Sequence, residues 1–346
     1  MLKIGIAGCG SIAKIHLAAL ESLDDIEVQA VADTDLERAK ICRDTYGNSD
    51  IHLYTSFMKM LEQEQLDVVH ICTPHYLHVP MAIEALKRGI HVFMEKPQAV
   101  SREEFEKLKE MKRKCQKEVG ICFQNRYNPA VRKIKEILET GCLGEPTGAR
   151  TFLTWNREKP YYEDSGWRGS WKTEGGGVLI NQAVHTLDLL VYLLGKPEIA
   201  EASFQNHHLK SVIEVEDTME AYMEVKGSPV CFYATNGYAE DSPVFLEILC
   251  LHGKIRMEGE YLEICLEDKG REVYDFSMGR KQLGKSCWGN SHFVCIKDFY
   301  TCLQEKRIFS NSLELTEDTF QLMMGLYDSA KNNCVFRLEE KETCKK

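Results

Sequence analysis

Two stretches of this chain carry side chains that could move a proton beside a reacting carbon. Glu95-Lys96-Pro97 closes the apolar run His91 to Met94. An ammonium at the end of a parallel strand can hydrogen-bond an oxygen on which negative charge develops. In the second stretch, Asn181, His185 and Asp188 stand four and three residues apart after Gly175, Gly176 and Gly177. That spacing predicts one helix face. An imidazole with a free pKa of about 6.5 exchanges protons near neutrality, so His185 is the candidate acid/base. Asn181 cannot take a proton and is assigned to orienting substrate hydroxyls. The glycine run is expected to let backbone pass close to a ligand. Each stretch also has a plain reading, a solvated Lys-Glu pair and a satisfied core histidine respectively.

Both need a scaffold, and the first residues suggest it. Ile4 to Ala13 read as a short apolar strand running into a Gly8-x-Gly10-x-x-Ala13 turn and then a helix from about Ser11. Gly8 permits a tight turn, Gly10 allows backbone to approach phosphate oxygens, and Ala13 lets the helix pack on the strand. The helix N-terminus presents free N–H groups and partial positive charge to a pyrophosphate. Asp33 closes a second apolar strand about 20 residues downstream, where an acid bonds a ribose 2′-hydroxyl. The stretch therefore predicts a dinucleotide site, and the carboxylate favours NAD over NADP.

Strands are expected at 2–7, 26–32, 66–72, 90–94 and 119–123, alternating with helices at 11–23, 35–45, 77–88 and 101–117. This is the pattern of a parallel sheet covered on both faces. Ser101 followed by Arg102, Glu103 and Glu104 reads as a helix N-cap with acids in the first turn. Beyond about residue 145, runs such as 218–225, 230–235, 245–251, 254–257 and 261–266 predict a largely antiparallel sheet. Helices near 290–305 and 314–331 end the chain. With 346 residues, two domains are expected, 1–122 for the dinucleotide and 123–346 for substrate binding and oligomerisation.

A net charge of −10 argues against nucleic acid as partner. Fourteen cysteines without a C-x-x-C pair read as buried thiols of a reducing cytosol. The strand starting at Leu2 leaves no room for a signal peptide, and no apolar run is long enough to span a bilayer, so a cytoplasmic protein is expected. His75 and His78, in Thr73-Pro74-His75-Tyr76-Leu77-His78, lack further ligands at a recognisable spacing, so no metal is expected. Tyr161-Tyr162 and Trp167-Arg168-Gly169-Ser170-Trp171 form an aromatic and basic loop. It suits a polyhydroxylated ring or simply anchors itself.

Taken together, the glycine turn, Thr73-Pro74 with His78, Glu95-Lys96-Pro97, Asn125-Arg126-Tyr127-Asn128-Pro129, the glycines leading to His185 and Asp188, Ser291-His292-Phe293 and Tyr327 to Lys331 resemble the glucose-fructose oxidoreductase, inositol dehydrogenase and rhizopine catabolism (Gfo/Idh/MocA) family. The resemblance implies an α/β Rossmann domain plus an α+β domain with an open, mostly antiparallel sheet. It also implies NAD(P)-linked oxidation or reduction of a sugar, cyclitol or derivative, with Lys96 the active-site lysine and His185 the acid/base. Many members carry aspartate where this chain has Asn181.

The expected cofactor contacts are Gly8, Gly10, Ser11, Ile12 and Asp33 from the first turn and strand. Thr73, Pro74, His75, His78, Glu95 and Lys96 follow from later strand ends, and Trp167 and Arg168 from the aromatic loop. Substrate contacts are expected from Lys96, Arg126, Tyr127, Trp155, Tyr162, Asn181, His185 and His292. The partners expected are a carbohydrate or cyclitol and further copies of the chain as dimer or tetramer, with neither nucleic acid nor membrane. One rival is a redox-neutral glycoside-cleaving enzyme that retains and recycles NAD. Another is a non-catalytic NAD- and sugar-sensing regulator.

Overall fold

Residues 1–46, 49–267, 270–277 and 291–338 are described by a computed structural model of the chain. They form two compact units, each assembled from separate stretches. The first comprises Met1–Tyr127, Lys172–Gly175 and the described part of Lys281–Glu317. The second comprises Asn128–Trp171 and the described parts of Gly176–Arg280 and Asp318–Lys346.

The first unit is built on strands β1 (Leu2–Ala7), β2 (Ile26–Ala32), β3 (His52–Tyr54), β4 (Val68–Ile71), β5 (His91–Met94) and β6 (Val119–Ile121). They lie in the order β3-β2-β1-β4-β5-β6, and every neighbouring pair is parallel. All four residues of β4 are buried, as a strand covered on both faces requires. The order reverses at β1, whose neighbours are β2 and β4, so the turn after β1 lies at the switch point where such sheets take ligands. The covering helices are α1 (Ser11–Glu21), α2 (Leu36–Tyr46), α3 (Phe57–Gln63), α4 (His78–Lys87) and α5 (Arg102–Cys115). Ser101 caps α5, its hydroxyl accepting from the Glu104 N–H at 3.2 Å, with Glu103 and Glu104 in the first turn. The three-residue β3 and seven-residue α3 are absent from the sequence reading, being too short to show a period.

In the second unit, helix α6 (Pro129–Thr140) is followed by β7 (Pro146–Thr154), the short α7 (Lys159–Glu163), α8 (Val184–Leu194) and β8 (Ile199–Gln205). Strands β9 (Thr218–Val225), β10 (Ser228–Thr235), β11 (Phe245–Cys250), β12 (Gly253–Glu258), β13 (Tyr261–Leu266) and β14 (Gly270–Asp275) come next. Beyond them lie α9 (His292–Glu305), which belongs to the first unit, then α10 (Glu317–Asn332) and β15 (Phe336–Arg337). The sheet runs β14-β13-β12-β11-β7-β10-β9-β8-β15. It is antiparallel except at β10–β7, which makes it mixed. Strand β7 sits at its centre although the sequence reading names no strand there. Its Gly148, Arg150 and three threonines dilute the apolar alternation that marks a strand. One face of β7 and β11 bears the Arg150–Glu247 ion pair at 2.8 Å and the stacked rings of Phe152 and Phe245, 5.6 Å apart.

The described cysteines are all free thiols, and Cys142, Cys231 and Cys334 are exposed rather than buried. Among the described residues, no helix is long and apolar enough to cross a membrane.

Candidate functional site

The turn after β1 has the form that its glycines predict. Gly8 lies at φ +87°, and a Cβ there would come within 2.6 Å of the Cys72 carbonyl oxygen, so only glycine is accommodated. Gly10 precedes α1 as its N-cap with φ −76°, and a Cβ there would meet nothing within 4 Å. The two glycines thus do different work. Gly8 keeps the turn tight against β4, and Gly10 leaves an open approach to the start of α1. Ala13 is fully buried, as close helix–strand packing demands. Asp33 braces the same turn: its Oδ2 accepts from the Cys9 N–H at 2.8 Å and its Oδ1 from the Asp35 N–H at 2.9 Å. A glycine turn open above a helix N-terminus, with a carboxylate at the end of β2, fits a dinucleotide.

Beside it, the loop after β4 is held by two histidines. His78 is fully buried between two carbonyl oxygens, Nδ1 2.9 Å from Pro97 and Nε2 2.9 Å from Thr73. Burial lowers its pKa, and a neutral ring donates to only one of the two oxygens. His78 thereby ties Thr73-Pro74 to the segment carrying Lys96, and any part it takes in cofactor binding is through that loop. His75 Nδ1 donates to the Glu174 carbonyl at 2.8 Å. The Lys96–Pro97 bond is cis.

Behind Lys96 lies a buried polar row that the sequence reading did not contain. His16 Nε2 is 3.0 Å from Glu95 Oε1, His16 Nδ1 is 2.9 Å from His70 Nδ1, and His70 Nε2 is 2.7 Å from the Tyr300 hydroxyl. Burial pushes the Glu95 pKa up, but the hydrogen bond and charge of His16, with the charges of His292 and Lys96, hold it well below the carboxylate range. Burial also works against a charge on His16, and the sulfur of Cys72 with hydrogen bonds to Cys122 and Glu95 outweighs it, lifting His16 well above its ordinary value. His292, at the start of α9, is lowered to about 4 by burial and by the charges of His16 and Lys96. Among the described residues, His16, Glu95 and Cys122 are also a group whose metal-binding atoms lie within 4.8 Å of one another. Arg126 and Tyr127 hold α9 and the chain after it: Arg126 Nη1 donates to the Ser310 carbonyl at 3.0 Å, and the Tyr127 hydroxyl donates to Asp298 Oδ2 at 2.7 Å.

The second unit presents its own polar cluster. Residues Leu179–Ala183 form a π-helical turn that runs into α8. The regular α-helix expected across Asn181, His185 and Asp188 is therefore interrupted at its start, Asn181 lying in the π turn and His185 and Asp188 in α8. Asn181 Nδ2 donates to the Tyr161 hydroxyl at 3.4 Å, and Gln182 Nε2 donates to the same oxygen at 2.9 Å. Asn236 Nδ2 joins them, donating to Gln182 Oε1 and to the Tyr162 hydroxyl, each at 3.0 Å. The Arg168 guanidinium lies over the rings of Tyr161 and Trp167, 4.3 and 4.7 Å from their centroids. Trp155 is buried and its Nε1 donates to the Ser242 carbonyl at 3.0 Å. His185 is half-buried in the first turn of α8, and Asp188 Oδ1 accepts from Thr319 Oγ1 at 2.8 Å.

The glycines before this turn also depart from expectation. A Cβ on Gly177 would lie 1.8 Å from the Glu216 carbonyl oxygen, and one on Gly176 would lie 2.0 Å from the Tyr327 hydroxyl. These glycines are required by packing inside the unit. The Glu216 carboxylate accepts from the N–H groups of Gly177 and Leu179 at 2.9 and 3.1 Å and from the Tyr327 hydroxyl at 2.8 Å. It caps the π turn, a role that no local motif announces.

Comparison with known proteins follows the same division. The profile of the oxidoreductase family with an NAD-binding Rossmann fold, GFO_IDH_MocA, matches residues 2–123, and that of the GFO/IDH/MocA C-terminal domain matches residues 131–256. D-glucoside 3-dehydrogenase of Escherichia coli is 30% identical over 57% of this chain and 55% of its own length, so the match spans about half of that relative. A glycosyl hydrolase family 109 protein of Phocaeicola vulgatus is 22% identical over 99% of this chain and 91% of its own. The WlbA dehydrogenase of Bordetella pertussis, crystallised with NADH and UDP-GlcNAcA, superposes with a TM-score of 0.85. It is 25% identical and covers 98% of this chain and 99% of that one.

Proposed function

The chain belongs to the Gfo/Idh/MocA family of NAD-binding oxidoreductases, and from that premise we propose that it oxidises or reduces a secondary hydroxyl or ketone of a sugar, cyclitol or sugar derivative. The observation that carries this reading is the open turn at Gly10 on the carboxyl edge of the sheet whose β5 leads into Glu95 and Lys96. When bound, NAD supplies the hydride acceptor or donor. Gly8, Gly10, Ser11 and Ile12 would hold its pyrophosphate, and Asp33 its ribose hydroxyls, the carboxylate disfavouring a 2′-phosphate. Thr73, Pro74, His75 and Glu95 would wall the site, His78 acting through the loop it holds, with Trp167 and Arg168 as further cofactor contacts.

In the oxidative direction His185 takes the hydroxyl proton as hydride leaves, and Lys96 donates a hydrogen bond to the reacting oxygen as its charge grows. Asn181 orients neighbouring hydroxyls. Arg126, Tyr127, Trp155, Tyr162 and His292 are assigned to the substrate side, most through the positions they impose on loops and helices. Self-association as a dimer or tetramer is part of the same reading. The test is a panel of sugars, cyclitols, uronates and sugar phosphates with NAD or NADP, following nicotinamide absorbance. Turnover restricted to NAD and to polyhydroxylated rings is expected. No absorbance change with any member and no glycoside cleavage, despite tight NADH binding, would leave a sensing protein instead.

A second reading draws on the likeness to the glycosyl hydrolase family 109 protein along nearly the whole chain. In it, a ring hydroxyl is oxidised, the acidified neighbouring C–H loses its proton, a glycosidic substituent leaves, and the hydride is returned. Glycoside cleavage by purified protein without added NAD would select this reading over net oxidation.

A further inference from the structure

The buried row Glu95–His16–His70–Tyr300 gathers four polar side chains from four places: the end of β5, the middle of α1, the middle of β4, and α9. All are within the first unit and none is solvated. Buried polar groups persist when each has a partner, and here the partners are one another. Phe93 lies against both imidazoles, with centroids 5.7 Å from His16 and 5.0 Å from His70, and keeps water from competing.

We infer that His16, backed by His70 and Tyr300, is a positioning residue that fixes the Glu95 carboxylate beside Lys96 and holds a proton for it in the interior. The inference rests on the dehydrogenase reading for its consequence in catalysis and on the hydrogen-bond row for its geometry.

Counting protons makes the row specific. Two nitrogens, His16 Nδ1 and His70 Nδ1, face each other at 2.9 Å, so one of them carries hydrogen and the other does not. With His16 as imidazolium, its Nε2–H donates to the Glu95 carboxylate and its Nδ1–H to His70 Nδ1. His70 is then neutral and its Nε2–H donates to the Tyr300 oxygen. With one proton fewer, His16 Nδ1 accepts from His70 Nδ1–H, and the Tyr300 hydroxyl donates to His70 Nε2. Both patterns satisfy every bond in the row, and they differ by one proton on His16 and in the direction in which the remaining hydrogens point.

The first pattern is the one the surroundings favour. Besides Glu95, His16 faces Cys72 at the end of β4, Cys122 after β6 and His70. Lys96 and His292 are the other basic groups acting on this carboxylate. Burial and the charge on His16 together keep His70 well below the imidazole range. Removing His16 would therefore leave a carboxylate buried without its donor, free to turn toward the Lys96 ammonium or to take up a proton.

The test combines spectroscopy with kinetics on the full chain. With 15N-histidine labelling, His16 is expected to keep both ring nitrogens protonated well past the ordinary imidazole value of about 6.5, and Glu95→Gln should bring its titration down. His16→Gln is expected to lower kcat about tenfold to a hundredfold while the NADH Kd changes less than about threefold. Tyr300→Phe deletes only a hydroxyl at the far end, and it should move the acidic limb of the pH profile with a smaller loss. A neutral His16 at pH 7 in the labelled wild type overturns the inference, as does His16→Gln with unchanged kcat and pH profile. Stoichiometric zinc in the purified protein, lost in Cys122→Ser, would make the cluster a metal site and overturn it too. If the wild type turns over no sugar or cyclitol, the dehydrogenase reading fails while the nitrogen spectra still decide the protonation of the row.

Discussion

Two glycine-rich turns precede α1 and the π turn that runs into α8, and they use glycine for opposite ends. At Gly10 an added Cβ would stand in open space at the mouth of α1, whereas at Gly177 it would strike backbone at 1.8 Å. The first turn is shaped for a ligand that is not part of the chain. The second is shaped for the chain itself, pressing the π turn onto Glu216 and Tyr327 so that His185 and Asn181 are presented from a rigid base. Glycine in a sequence announces close approach, and only packing says to what.

The contrast is sharpest where chemistry and scaffold separate. Lys96→Met and His185→Ala are expected to keep the melting temperature within a few degrees and to lose turnover by about a thousandfold or more. Near-wild-type rates in both would remove the proposed roles. Next in size, Gly177→Ala should cost about 3 kcal/mol or prevent folding, because the opposing atom is backbone and cannot swing aside. Its partner in the comparison, Gly10→Ala, should change stability by less than about 1 kcal/mol, since its φ of −76° suits alanine. Urea melts with NADH titrations check the pair, and Gly10→Ala is expected to weaken NADH about tenfold, some 1.4 kcal/mol. Equal effects of the two substitutions on stability would erase the distinction.

Asp33→Asn should reduce NAD affinity several-fold and narrow the gap to NADP, read as a ratio of Kd values. Removing the charge relieves repulsion of a 2′-phosphate and leaves an amide oxygen for the Cys9 N–H. The last effect is one of pH and concerns Glu216, whose pKa burial raises to about 7 against its hydrogen bonds from Tyr327, Leu179 and Gly177. Unfolded, the group titrates near 4.3. Between these values the folded chain binds the extra proton, so this group's contribution is full below about pH 4 and is lost as pH rises through about 7. Glu216→Gln should flatten that slope, by ~3 kcal/mol or less across the window. Parallel pH dependences of the two proteins would mean that Glu216 stays ionised in the fold.

Much of the first unit was legible because its signals are local. A strand, a glycine turn, a helix and an acid follow one another within the first 33 residues, and their spacing is dictated by backbone reach. The family profiles bear out the NAD-binding reading. Helix periods and strand lengths placed α4, α5, β9 and β13 within a few residues. Strand β7 was missed for the opposite reason. Its place at the centre of the second sheet is set by β10 and β11, far along the chain, while its own residues alternate weakly. The π turn at Leu179–Ala183 was equally silent, since the same apolar residues serve an α-helix, and the choice is made by Glu216 holding the N–H groups at its start.

By itself, the order of residues determined which side chains could bind phosphate, donate to an oxygen or exchange a proton. Those capacities belong to chemical groups and to neighbours a few bonds away. Tertiary structure alone decided that Gly177 packs where Gly10 opens, and that His16, His70, Glu95 and Tyr300 share one row. Partners separated by 54, 79 and 230 positions meet only when strands pair and helices dock, and no local spacing encodes that. The states in which those groups hold their protons follow from the burial and company that folding provides.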